Sequence, residues 1–287
     1  MKPQVDAFFD QDSNTFSYVV RDPKSRACAI IDSVAEIDVA SGAVDYNGAD
    51  AIVSFVQDSG LEVQWIIETH VHADHLSAAP YLKSKLGGII AIGENVTAVQ
   101  DTFSEIFNCG PEFPRDGSQF DHLFTEGEQY SIGSLVATAM HTPGHTPACM
   151  THIIGDCAFV GDTVFMPDSG TARADFPGGD AATLYHSIER ILSLPDDTRL
   201  FLCHDYGVDG RELEYQTTVN AEREHNIHLR GGITQKEYVD MRTERDNTLE
   251  VPHLILPSLQ VNMRAGELPV PESNGMSYLK LPINAFK

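Results

Sequence analysis

The sequence predicts a layered α/β fold, on three observations. Apolar runs of strand length alternate with segments whose apolar residues recur at helical spacing, and this order appears twice before a tail that reads mostly as helix and loop. Four of the strand-like runs end in loops rich in histidine or aspartate: THVHADH, HTPGH, GDT and CHDY. The composition, 42% hydrophobic and 21% charged in 287 residues, is that of a globular chain able to bury a full core.

FSYVVRD (16 to 22) and ACAIIDS (27 to 33) are β-branched runs on either side of the turn-like PKSR, so they read as an antiparallel hairpin. In ADAIVSFVQDSG, Ile52, Val53, Phe55 and Val56 recur at helical spacing and Gly60 ends the run as a cap, which predicts a surface helix. WIIET (65 to 69) reads as a buried strand with the histidine cluster at its carboxyl end, followed by the helix PYLKSKLG. Open α/β sheets place their chemistry at such strand-to-loop junctions. GIIAIGE (88 to 94) repeats the strand and VTAVQDTFSEIF (96 to 107) the helix, whereas residues 108 to 128, rich in Gly, Pro, Asp and Phe, read as an insert-like loop. SLVATAMHT (134 to 142) is a strand running into PGHTP. ACMTHIIGDCAFVGD (148 to 162) is a hairpin about Gly155 and Asp156 whose second strand delivers Asp162 to a loop. AATLYHSIERILSL (181 to 194) reads as an amphipathic helix and RLFLCHD (199 to 205) as the last strand. Residues 1 to 206 thus form the expected catalytic domain, with 207 to 287 an extension packed on it.

With 42 acidic against 19 basic residues the formal charge is −23, a field that repels phosphates and anionic headgroups. Nucleic acid and membrane surfaces are therefore not expected partners, although a few arginines gathered in a cleft suffice for a small anion. The five cysteines cannot all pair and none forms a C-x-x-C with another, so they read as reduced thiols. MKPQVDAFFD lacks the apolar stretch of a signal peptide, and nowhere do 18 apolar residues run together. A cytoplasmic location is expected.

His70, His72, Asp74 and His75 fall within six positions, a density with no packing rationale. Together with His145, Asp162 and His204 they offer imidazoles and carboxylates of the kind that bind metal from distant parts of a chain. Two arrangements satisfy this inventory. Two cations sharing Asp162 would make a dinuclear zinc hydrolase. His70, His145 and Asp162 alone would make a two-histidine, one-carboxylate face with open positions, as suits non-haem Fe(II). The other histidines, His122, His141, His152, His186, His225, His228 and His253, read as ordinary structural or surface residues. Cys203 precedes His204, and strand alternation would point its thiol away from the histidine, as a buried structural group.

The ordered motifs THVHADH, HTPGH, GDT and CHDY resemble those of the metallo-β-lactamase superfamily, over about residues 5 to 206. The resemblance implies a four-layer αββα sandwich with the site at one edge of its two sheets. More narrowly, HADHLSAAPYLKSKLGG, GSQFDHLF, HTPGHTPAC, GDTVFMPDSGTARADFPGGD and LFLCHDY are similar to the glyoxalase II-like branch, to its ETHE1-like persulfide dioxygenases, and among these to the bacterial Blh-like proteins. That similarity continues through NIHLRGGIT and LILPSLQVNMRAGELP.

It implies one Fe(II) held by His70, His145 and Asp162, with His72, Asp74, His75 and His204 as outer partners or a second metal set, and Zn(II) able to occupy the site. The implied reaction takes glutathione persulfide, O₂ and water to glutathione and sulfite. Arg173, eleven residues after Asp162, matches an arginine of the ETHE1-like proteins, and it is read either as a ligand for anionic glutathione or as a partner of Asp175. Tyr206 matches a tyrosine beside the thiol substrate. Arg211 and Arg264 read as solvated surface charges. No sulfurtransferase domain is expected, and a homodimer is compatible with the sequence. The competing readings are a glyoxalase II-like dinuclear zinc thioester hydrolase and, from a different class, a non-enzymatic metal or thiol sensor; the latter fits poorly because structural zinc sites are usually cysteine-rich.

Overall fold

The computed structural model describes residues 2 to 285. The chain opens with β1 (Gln4–Asp10), β2 (Thr15–Arg21) and β3 (Ala27–Ile31), an antiparallel meander. It continues through β4 (Val34–Asp38), β5 (Ala43–Asp45), α1 (Asn47–Asp58), β6 (Glu62–Ile67), the two-residue β7 (Leu76–Ser77), α2 (Ala79–Leu86), β8 (Ile89–Gly93), α3 (Val96–Ile106) and β9 (His122–Phe124). The second half contains β10 (Gln129–Ile132), β11 (Leu135–His141), β12 (Met150–Ile154), β13 (Cys157–Phe159), α4 (Ala181–Leu192), β14 (Arg199–Phe201), β15 (Gln216–Thr218), α5 (Val219–His225), α6 (Gln235–Asp246) and α7 (Ile255–Asn262).

Two six-stranded sheets result, in the orders β1-β2-β3-β6-β8-β9 and β10-β11-β12-β13-β14-β15. The first is parallel from β3 to β9, and the second is antiparallel except between β13 and β14. Alternation along the strands sorts the core into three apolar layers. In β3, Cys28 and Ile30 face α1, α2 and α3, while Ala29 and Ile31 face the second sheet. In β14, Phe201 faces inward to the same middle layer, while Leu200 and the following Leu202 meet Leu184, Ile188 and Ile191 of α4. Strands buried on both faces explain the near-continuous apolar runs in the sequence. The result is the expected αββα sandwich.

The helix over 47 to 58 ends as its glycine requires. Gly60 sits at φ +61, and the amides of Gly60 and Leu61 return to the carbonyls of Gln57 and Val56, satisfying the last turn. Two expectations need correction. Residues 108 to 128 are not wholly loop, since His122–Phe124 pairs in parallel with β8; the Asp121 carboxylate accepts from the Ile90 amide and the Lys83 ammonium and pins this strand to the sheet. The strand beginning at Arg199 stops at Phe201 and is not the last, because Gln216–Thr218 adds beside it.

The C-terminal helices join both outer layers. Tyr238 of α6 packs among the α4 residues, and Ile255, Leu259 and Val261 of α7 enter the layer of α1 to α3. No helix among the described residues is long and apolar enough to cross a membrane.

Candidate metal centre

The carboxyl ends of β3, β6, β11, β13 and β14 lie at one edge of the sandwich, and the loops that leave them carry Asp32, the 68 to 75 segment, His145, Asp162 and His204. Gly161 makes the approach possible. It holds φ +50, and a Cβ there would lie 2.6 Å from Thr69 Oγ1, so only glycine lets the Asp162 loop close on the histidine loop.

His70 and His145 place their Nε2 atoms 3.8 and 3.6 Å from Asp162 Oδ2. Ligand atoms of these three residues lie within 4.8 Å of one another, and all three side chains are buried. His204 Nε2 is 3.3 Å from both Asp162 Oδ1 and Asp74 Oδ2. His72, Asp74 and His75 form a further close group. Every histidine and carboxylate expected at the site is therefore brought together at this edge.

The second nitrogens explain the orientation. Nδ1 of His70 meets Thr69 Oγ1 at 3.0 Å, that of His145 the Arg173 carbonyl at 2.9 Å, that of His75 the Leu76 carbonyl at 3.1 Å, and that of His204 the Asn14 carbonyl at 3.2 Å. A proton on Nδ1 leaves the Nε2 lone pair for the site, the arrangement typical of metal-ligating imidazoles. His70 Nε2, His75 Nε2, His72 Nδ1 and Asp162 Oδ1 are buried without a hydrogen-bond partner. Orphaned polar atoms of this kind are costly unless something else satisfies them, so the donor set fits a metal ion.

Behind the ligands lies Asp32, in the left-handed region at φ 51. Its carboxylate accepts from the Thr69 amide at 2.7 Å and hydroxyl at 2.9 Å, and meets His72 Nε2 at 3.0 Å; Glu68 Oε2 lies 3.3 Å from the same nitrogen. Burial opposes charge on His72, but Asp32 and Glu68 outweigh it and hold this ring well above the ordinary imidazole range. His204 follows the same logic: burial lowers it, Asp162 and Asp74 more than compensate, and it rises to about 9. His70 goes the other way, held well below the ordinary value first by burial and then by His72. This direction favours the neutral ring, the form in which an imidazole binds metal.

Cys203 departs from expectation. The strand has ended two residues earlier, so alternation no longer applies, and Sγ turns inward to within 3.8 Å of Asp32 Oδ2 and 4.8 Å of Asp162 and His204 ligand atoms. Burial, followed by Asp32 and Asp162, pushes the thiol well up. Arg173 is occupied: it forms a two-pronged pair with Asp175, donates to the Glu250 carbonyl, and stacks on Phe176. Arg211 is not a solvated charge but a clamp between Asp168 and Asp205, and Arg264 lies over Phe113. Tyr206 is half exposed, its ring stacked on His204.

A cavity of about 1310 Å³ opens onto His145, Asp162 and His204, and Phe165, Phe176 and Tyr206 also line it. Part of its wall comes from the tail: Arg245, Leu249, His253 and Leu254. Sequence reading missed this wall, and it missed Asp32 and Glu68. The signal for those two was a carboxylate closing an apolar strand, in IIDS and IIET. Among the histidines read as structural, His152 is buried against Tyr130 and His228 accepts from the Thr171 amide, whereas His253 lines the cavity.

Residues 11–204 match the model of the metallo-beta-lactamase superfamily. A probable metallo-hydrolase of Burkholderia pseudomallei is 54% identical, over 98% of this chain and 99% of its own. Glyoxylase B2 of Dictyostelium discoideum is 47% identical over 100% and 99%. The mitochondrial persulfide dioxygenase ETHE1 of Homo sapiens is 29% identical over 90% and 87%. The crystal structure of ETHE1 from Myxococcus xanthus superposes with a TM-score of 0.74 and 25% identity, covering 93% of this chain and all of that one.

Proposed function

Because the chain belongs to the metallo-beta-lactamase superfamily, we propose that it works as a persulfide dioxygenase, oxidising glutathione persulfide with O₂ and water to sulfite and glutathione, at one Fe(II) held by His70, His145 and Asp162. The observation that carries the reading is this set of two imidazoles and one carboxylate, complete without the remaining histidines. His72 commits its Nε2 to Asp32 and Glu68, at 3.0 and 3.3 Å, which leaves only its Nδ1 for a second metal. The persulfide dioxygenase relative and the structural match support the same reading.

The redox chemistry is what Fe(II) supplies when bound. The chain's own residues orient and enclose. Thr69 and the Arg173 carbonyl fix the tautomers of His70 and His145, so both lone pairs face the carboxylate between them. Phe165, Phe176 and Tyr206 give the substrate an apolar wall beside the site. Arg173 and Arg242 are consumed by Asp175 and Asp246, and the guanidinium of Arg245 has no hydrogen bond or ion pair among the described residues. Arg245 is thus the cavity's available cation for a glutathione carboxylate, in place of Arg173.

A second reading is a dinuclear zinc thioester hydrolase, favoured by the position of Asp162 between His70 and His204 and by the relatives named metallo-hydrolase and glyoxylase. Oxygen uptake and sulfite formation with glutathione persulfide, in protein reconstituted anaerobically with Fe(II) or with Zn(II), separate the two. Uptake with iron alone is expected. Metal-loaded protein that consumes no oxygen but cleaves glutathione thioesters in the zinc form would replace the first reading by the second.

A further inference from the structure

The 70 to 76 segment carries four of the site's ligand groups but has almost no regular structure, so something outside it must hold its backbone. That support arrives from the far end of the chain. Asn262, the last residue of α7 and 4% exposed, donates from Nδ2 to the His72 carbonyl at 2.9 Å and to the His75 carbonyl at 2.7 Å. Its Oδ1 accepts from the Ser77 amide at 2.8 Å. One side chain thereby ties three points of the loop, on both sides of Asp74.

The helix beneath it is fixed in turn by buried Leu259, Val261 and Met263. The contact is also tight: Gly266 sits at φ +88, where a Cβ would lie 2.6 Å from the Pro80 ring and 2.9 Å from the Ser77 carbonyl. No larger residue lets the tail lie this close to the end of the loop.

We infer that Asn262 is a positioning residue for the metal centre, setting the loop backbone from which His72, Asp74 and His75 project and steadying His70 at its start. The inference rests on the metal-site reading above, but not on which metal is native or which reaction follows. An amide suits the task, because two donors and one acceptor in one plane match two carbonyls and one N–H.

A buried amide also stabilises the fold, so the test needs a matched control. Gln260, two residues earlier and 3% exposed, makes three hydrogen bonds of its own, to the Leu256 and Lys280 carbonyls and from the Lys280 amide, none of them to the loop. Zn(II) affinity of the full chain is measured by competition with a chromophoric chelator, alongside melting curves. Asn262→Ala is expected to weaken binding by about tenfold or more, as loss of outer support does elsewhere. Gln260→Ala is expected to lower the melting temperature and leave the affinity unchanged. Unchanged affinity in Asn262→Ala, or equal weakening in both variants, overturns the inference. Should Asn262→Ala fail to fold, Asn262→Asp keeps the shape and the Ser77 bond while turning both donors into acceptors, and is judged by the same comparison. A parent protein that retains no Zn(II) overturns the metal-site reading, and this inference with it.

Discussion

Asp32 shows how much one residue can organise: it fixes Thr69, which orients His70, and it holds His72 directly. A different buried carboxylate is less fully compensated. Glu222 in α5 accepts from Asn226 at 2.6 Å, but burial outweighs its hydrogen bonds and raises it to about 8. Its folded value lies above the unfolded one, near 4.3, so the folded state binds the proton more tightly. Stability contributed by this proton is present below about pH 4 and is lost as pH rises toward 8. Glu222→Gln should therefore flatten the fall in unfolding free energy between pH 5 and 8, by on the order of 3 kcal/mol at the upper end. Urea melts at both pH values check this, and an unchanged slope would show that Glu222 does not titrate there. At this scale the sequence exposed what is dense in type: seven ligand candidates stood out by spacing. It hid what acts singly, since Asp32, Glu68 and Asn262 look like any carboxylate or amide until the chain is folded.

Among elements, α6 does more than cover the second sheet. Arg242 is fully buried and pairs with Asp246, whose other oxygen accepts from the Ala174 amide at 2.9 Å, while Arg242 donates to the Thr171 carbonyl. The pair thus pins the 171 to 174 segment, whose Arg173 carbonyl receives His145. Asp246→Ala leaves a buried guanidinium without its partner and should cost about 3–5 kcal/mol in urea unfolding. A loss below 1 kcal/mol would mean that water or another carboxylate replaces Asp246. The helices with strong periodicity, α1, α3 and α4, were legible from the sequence, as were the hairpins at 16 to 33 and 148 to 162. Short edge strands were not. β9 and β15 have three residues each, too few for a period to emerge, and their pairing partners lie outside the local sequence. β1 was missed because its half-exposed residues mix polar and apolar without clean alternation.

For the molecule as a whole, the three apolar layers must hold together against a formal charge of −23. Repulsion among surface carboxylates reaches far at low salt and is cut off as the screening length falls from ~30 Å at 0.01 M to ~8 Å at 0.15 M. The melting temperature should rise by a few degrees over that range, roughly what 1 kcal/mol does for a chain of this size. A falling melting temperature would show that the surface ion pairs outweigh the repulsion. The overall architecture was readable because the strands of each sheet lie side by side in chain order; the tail's part in the site was not, because it depends on contacts between residues nearly 200 positions apart.

That separation also orders events in time. A ribosome adding about 5–20 residues per second needs roughly 10–40 s to travel from Ser77 to Asn262. Until the last helix has left the exit tunnel, the carbonyls of His72 and His75 cannot receive their donor. The metal-binding loop is therefore synthesised well before the helix that completes it.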